Sequence, residues 1–131
     1  WEKAARGTDG RAYPWGNDFG SGHANILGSE DGYVNTAPVG SFPSGASPYG
    51  AQDMTGNVWE WVADWYGYDE GYYARSPSRN PKGPESGSAR VLRGGSSNCD
   101  RPDDFRCAYR DIIDPAFRYY IIGFRCARSL Q

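Results

Sequence analysis

Histidine is almost missing from this sequence: His23 is the only one in 131 residues. With no second histidine and no cysteine beside it, a tetrahedral zinc site is not expected there, and His23 reads as a solvated loop residue. Cysteine is scarce and odd in number. Cys99, Cys107 and Cys126 cannot all pair within the chain. No apolar run approaches the ~20 residues that a membrane-spanning helix needs. Neither charge sign is in excess, and a net charge of −2 gives no reason to expect non-specific attraction to nucleic acid or membrane. Internal repeats are lacking, and no signal-like segment opens the chain at Trp1.

Glycine, proline and aromatic residues are plentiful. There are 18 Gly, 9 Pro, 5 Trp, 10 Tyr and 5 Phe. So many aromatics argue against disorder, which is usually aromatic-poor. The expectation is one loop-rich domain at most, held by aromatic packing and by ions.

The densest stretch is Asp53-Met54-Thr55-Gly56-Asn57-Val58-Trp59-Glu60-Trp61-Val62-Ala63-Asp64. In an extended backbone Trp59 and Trp61 share one face, and Val58, Glu60 and Val62 the other. A lone carboxylate among valines is costly unless paired or metal-bound. Asp53 and Glu60 flank a Gly-Asn turn, which is the raw material of an oxygen-ligand calcium site or of a capped turn over an aromatic core.

Glu2-Lys3-Ala4-Ala5-Arg6 reads as the end of a helix stopped by Gly7. Residues 7–22 are turn-rich, with Trp15 as a core plug. Asn25 and Asp31 offer an amide oxygen and a carboxylate, flanked by the backbone carbonyls of Ile26 and Tyr33. That set suits calcium or an Asx-turn pair without metal. Residues 36–50 form a Pro/Gly/Ser connection, 64–73 an aromatic and acidic loop, and 75–87 a polar surface excursion. An extended segment from Ser88 leads into Arg93-Gly94-Gly95-Ser96, whose paired glycines suggest close backbone approach or positive φ.

Five ordered motifs give the chain a resemblance. They are Trp1-Glu2-Lys3-Ala4-Ala5-Arg6-Gly7, Tyr13-Pro14-Trp15-Gly16-Asn17, Gly56-Asn57-Val58-Trp59-Glu60-Trp61, Arg90-Val91-Leu92-Arg93-Gly94-Gly95-Ser96 and Ile122-Gly123-Phe124-Arg125-Cys126. Together they resemble the formylglycine-generating-enzyme (sulfatase-modifying factor) family. The resemblance implies an α+β, C-type-lectin-like fold, loop-rich with short antiparallel strands, of which this chain would be the C-terminal half, in a single domain over 1–131. It implies structural calcium at Asn25, Ile26, Asp31 and Tyr33. A second oxygen site is expected at Asp53 and Glu60 with the carbonyls of Gly56 and Val58. Trp15, Trp59, Trp61 and Phe124 are expected in the core.

The family holds copper oxidases, sulfoxide synthases and non-catalytic binding proteins, so membership does not choose the activity. The oxidases bind copper(I) through two cysteines five residues apart, the first three residues after the serine of Gly-Gly-Ser. Cys99 matches the first, while Asp104 stands at the second. Copper(I) wants soft thiolates, so the oxidase is the alternative, with Cys99 and Ser96 at its centre and copper as its cofactor. A sulfoxide synthase needs histidines this chain lacks. Cys107 and Cys126 match positions that form disulfides in some members. The partner of Cys107 would be Ala5, and both thiols read as buried and reduced.

Between the skeleton residues of the tail lie Asn98, Cys99, Asp100, Asp104, Tyr109, Asp111, Ile112, Ile113, Phe117, Tyr119, Tyr120 and Ile121. Members diversified by retroelements rewrite asparagine codons at their adenines, a route that yields Asp, Tyr, Ile, Phe and Cys but not Lys, Glu, Gln, Met or Trp. None of those five appears at these positions. The expected function is therefore a non-enzymatic binding domain. It presents residues 97–121 to a protein or other macromolecular ligand, with a bacterial or phage source. A buried terminal strand over 119–122 is the competing reading of these residues.

Overall fold

The computed structural model describes residues 1–28, 31–68 and 71–128. Helix α1 (Glu2–Arg6) ends at Gly7, the stop expected from the sequence, whose φ of 70° favours glycine. Strand β1 (Trp59–Trp65) follows a long irregular stretch containing two 3-10 turns. Then come the one-turn helix α2 (Tyr72–Arg75) and strands β2 (Arg90–Arg93), β3 (Asp111–Ile113) and β4 (Ile122–Gly123).

The strands form one sheet in the order β3-β2-β1-β4. β1–β2 and β2–β3 are antiparallel. β4 departs from the antiparallel expectation and runs parallel to β1, placing Trp59 opposite Ile122 and Glu60 opposite Gly123. The segment between β3 and β4 crosses from one edge of the sheet to the other, so the chain arrives in the same direction as β1.

Register separates the sheet into two unlike faces. Leu92 pairs with Trp61 and Asp111, and this face carries Trp59, Tyr109 and Ile113. Glu60 pairs with Arg93, and Val91 pairs with Ile112 on the opposite face. β1 is irregular between Trp61 and Trp65. The Arg90 guanidinium covers this stretch, donating to the Ala63 carbonyl and stacking on Trp65.

Three apolar clusters fill the interior. Trp59, Leu92 and Ile121 pack beneath the first face. Ala5, Met54 and Cys107 pack behind α1. The third is a relay of rings in which Phe105 stacks on Phe19, Phe19 meets Tyr13, Tyr13 stacks on Trp15, and Trp15 stacks on His23. His23 is therefore half-buried against an aromatic face, not the solvated residue expected. Phe124, expected in the core, is 75% exposed. β4 ends at Gly123, so Phe124 lies past the ladder and its ring stands outside.

Two glycines are obligatory. Gly56 has φ 75°, and a Cβ there would lie 2.5 Å from the Asn25 carbonyl oxygen. Gly95 has φ 73°, and its Cβ would lie 2.7 Å from the Phe105 ring. Any side chain at either position meets both backbone strain and a clash.

Candidate functional site

The Gly56-Asn57 turn ties three distant segments together. Asn57 (φ 65°) takes a left-handed conformation that asparagine tolerates. Its N–H donates to the Asn25 carbonyl, its Oδ1 accepts from Ala37 N–H, and its own carbonyl accepts from Ser97 N–H. Asn25 Nδ2 donates to the Asn35 carbonyl at 2.7 Å. Asn25 Oδ1 accepts nothing, although Asn25 is 1% exposed. A buried amide oxygen without a partner is a costly vacancy in a hydrogen-bond network and suits a hard cation. Asp31 Oδ1 accepts from Tyr33 N–H at 2.9 Å, an Asx turn.

The expected second oxygen site is built differently. Glu60, 6% exposed, receives the Arg125 guanidinium bidentately, with Nε at 2.7 Å from Oε2 and Nη2 at 2.6 Å from Oε1. Trp1 Nε1 adds a third donor at 2.6 Å. Arg125 Nη2 also donates to the Gln52 and Asp53 carbonyls, and Asp53 Oδ2 accepts from Gly40 N–H. Arg125 supplies the positive charge that the sequence reading had assigned to a metal at Asp53, Gly56, Val58 and Glu60. The costly carboxylate among valines is paired. A cavity of about 410 Å³ opens beside it, rimmed by Val39, Val58 and Phe124.

In the tail, Asn98, Asp100, Phe117, Tyr119 and Tyr120 are exposed. Tyr120 Oη accepts from Asn98 Nδ2 at 2.8 Å, and the rings of Phe117, Tyr119 and Tyr120 follow one another at 6.1 and 4.7 Å. Cys99, Asp104, Tyr109, Asp111 and Ile113 are half-buried beside them. Two of the expected contact positions fall elsewhere. Ile121 is 9% exposed and packs with Trp59 and Leu92, because its carbonyl accepts from Trp59 N–H and draws it inward. Ile112 pairs with Val91 on the opposite face of the sheet. The terminal strand is thus buried at one residue, while the two tyrosines before it stay outside.

The three thiols are separated. Cys99 Sγ lies 3.5 Å from Ser96 Oγ. Burial pushes the Cys99 thiol pKa up, and the nearby Asp104 and Asp111 carboxylates add to the rise against the Ser96 bond. Cys107 is fully buried with Ala5 and Met54, and burial pushes its thiol up to about 11. Cys126 is exposed, contrary to the expectation of a buried thiol. The Tyr109 phenol is likewise raised, by burial first and then by Asp104 and Asp111.

Residues 1–130 match the family described as sulfatase-modifying factor enzyme 1-like domain. The chain belongs to that family. It is 42% identical over 149 residues to the formylglycine-generating enzyme of Streptomyces coelicolor, covering 98% of this chain and 44% of that enzyme. It is also 42% identical over 132 residues to the serine/threonine-protein kinase pkn1 of Chlamydia caviae, covering all of this chain and 20% of that protein. Among solved structures, Treponema denticola variable protein 1 superposes with a TM-score of 0.80 at 31% identity, over 95% of this chain and 43% of that one. The chain therefore spans less than half the length of each of these proteins. The curled sheet with few helices is the C-type-lectin-like fold of the family.

The family's copper chemistry does not fit these residues. Cys99 is one thiol with Asp104 in the place of a second. Cys107, the next thiol along the chain, is sealed behind α1. Among the described residues no three His, Cys, Asp or Glu side chains cluster as a metal site, and no helix is long and apolar enough to cross a membrane. Sequence reasoning missed two features. The Glu60–Arg125 pair joins residues 65 apart with no local signal. Arg110 stacks between Tyr66 and Tyr73. The even spacing of Arg110 and Ile112 against Tyr109 and Asp111 was the only available sign that Arg110 would face away from the tail surface.

Proposed function

We propose that this domain is a non-enzymatic recognition module of the sulfatase-modifying-factor family. It presents the exposed part of residues 97–121 to a protein ligand. The observation that carries this reading is the run of rings at Phe117, Tyr119 and Tyr120, joined through Asn98 to the segment of Cys99. Exposed apolar rings in a contiguous patch mark partner surfaces, and tyrosine supplies large contact area at low entropic cost. The likeness to a protein named variable protein 1 supports the same reading, including retroelement diversification of these positions. Asn25 Oδ1 with Asp31 and the Ile26 and Tyr33 carbonyls would hold a calcium ion that stiffens the scaffold under the patch. Excess chelator should then lower the melting temperature in a calcium-reversible way, by mass action on the native state. An unchanged melting curve removes calcium from the account.

The enzymatic alternative is favoured by the 42% identity to a formylglycine-generating enzyme. The discriminating assay supplies copper(I), oxygen, a reductant and a cysteine peptide of sulfatase type, with mass spectrometry for formylglycine. The module reading expects none. Product that disappears in Cys99→Ser replaces it with the oxidase.

A further inference from the structure

A groove of about 970 Å³ is lined by α1, the 61–64 part of β1, the 72–83 segment and Arg110. Most charges along it are already matched. Arg93 donates to Glu2 and to the carbonyls of Cys107 and Ala108. Arg125 is bound to Glu60. Arg110 differs. It is half-buried, with its guanidinium 5.1 Å from the Tyr66 ring and 4.9 Å from the Tyr73 ring. Among the described residues it makes no hydrogen bond and no ion pair. Stacking occupies the faces of a guanidinium and leaves its N–H donors, which lie in its plane, free for a carboxylate fork. Two rings hold it in place, so little rotamer freedom is lost on binding.

We propose that this groove binds an acidic peptide segment of a partner protein, with Arg110 taking one of its side-chain carboxylates bidentately. Among the described residues of the lining, Lys3, at the exposed edge of α1, is a second unpaired cation and Asp64 is the one unpaired carboxylate. The unmatched charge of these described residues is thus positive. The groove is much larger than a simple anion needs. Tyr73 is 65% exposed at its rim and Tyr68 63% exposed on the adjoining loop, and tyrosine and arginine are the residues enriched at the centres of protein interfaces. This surface is distinct from the tail patch, since Arg110 lies against Tyr66 and Tyr73 while the neighbouring Tyr109 packs against Trp59.

The test uses the longest natural protein that carries this chain and a fluorescein-labelled, amide-capped hexaglutamate peptide, read by anisotropy. Saturable binding is expected, with hexaglutamine inert. Arg110→Gln should weaken binding at least tenfold, and Arg110→Lys should fall between, because lysine keeps the charge and loses the fork. Tyr73→Leu, which removes one of the two rings that hold the guanidinium, should weaken it as well and serves where Arg110→Gln melts early. No binding by the parent protein, or equal binding by Arg110→Gln and Arg110→Lys, overturns the proposal. So does tighter binding of pentaglycine with a free C-terminus, which would move the anion to a chain end. Competition by inorganic phosphate at lower concentration than hexaglutamate would make the site a phosphate site and likewise overturn it.

Discussion

The two faces of the sheet solve opposite problems. The Leu92 face buries Trp59, packs Tyr109 and Ile113 at its edge, and is stabilised by area removed from water. The Glu60 face buries charge. Glu60, at 6% exposure, and Arg93, at 4%, are directly opposite each other in the ladder, yet neither is the other's partner. Glu60 is bound by Arg125 and Trp1, and Arg93 by Glu2 and two carbonyls. Three of these links reach residues near the ends of the sequence, at Trp1, Glu2 and Arg125. The apolar face can tolerate changes of shape at its exposed margin, where only the rings of the tail are added. The charged face cannot lose one member without stranding another. That difference fits a proposed recognition surface on the side backed by tryptophan, with residues near both ends of the sequence anchored on the other.

The largest effect expected from breaking this comparison is at Trp59. Trp59→Ala removes a ring that is 7% exposed and should cost about 3–5 kcal/mol in urea unfolding. Unchanged stability with lost ligand binding would make Trp59 a contact residue and not a core one.

On the charged face, Glu60→Gln leaves the Arg125 fork facing a neutral amide. Arg125 is 33% exposed, so water takes up part of the loss, and about 1–3 kcal/mol is expected. Equal melting of Glu60→Gln and the parent would show that the pair contributes nothing to stability.

Acid should loosen the same face next. Burial raises the pKa of Glu2, but bonds from Arg6 and Arg93 outweigh it and hold the carboxyl below its ordinary 4.5. A depressed carboxyl contributes stability above its unfolded pKa and loses it as pH falls through the folded value. Melting temperatures measured from pH 6 downward should therefore drop below about pH 4.5, and Glu2→Gln should flatten that drop. A variant that keeps the full slope would remove Glu2 from the account.

The smallest effect sharpens the other side. Cys99→Ser, at the half-buried margin of the tail patch, should change stability by no more than about 0.5 kcal/mol. Alkylation followed by mass spectrometry should modify Cys126 first, Cys99 more slowly and Cys107 only on unfolding, in the order of their exposure. Rapid labelling of Cys107 in the native protein would contradict its burial behind α1.

Local pattern made several elements legible. Glu2 to Arg6 had good helix formers and a glycine stop, and the helix ends at Gly7. The alternation of Trp59, Glu60 and Trp61 placed the tryptophans and the carboxylate on opposite faces. The paired glycines after Arg93 suggested close backbone approach or positive φ, and Gly94 and Gly95 have positive φ. Five motifs together carried the family. These features follow from propensity and period over a few neighbouring residues.

What the sequence by itself determined, then, is the fold family, the strand alternation and the odd number of thiols. Tertiary structure alone decided which charge meets Glu60, which of the tail residues turn inward and where Arg110 faces. Arg125 and Glu60 are 65 positions apart, and no local period encodes such a meeting. Ile121 is drawn in by a single backbone bond to Trp59 and leaves Tyr119 and Tyr120 outside. Sheet register fixes the direction of every side chain at once, and register is settled only when distant strands pair.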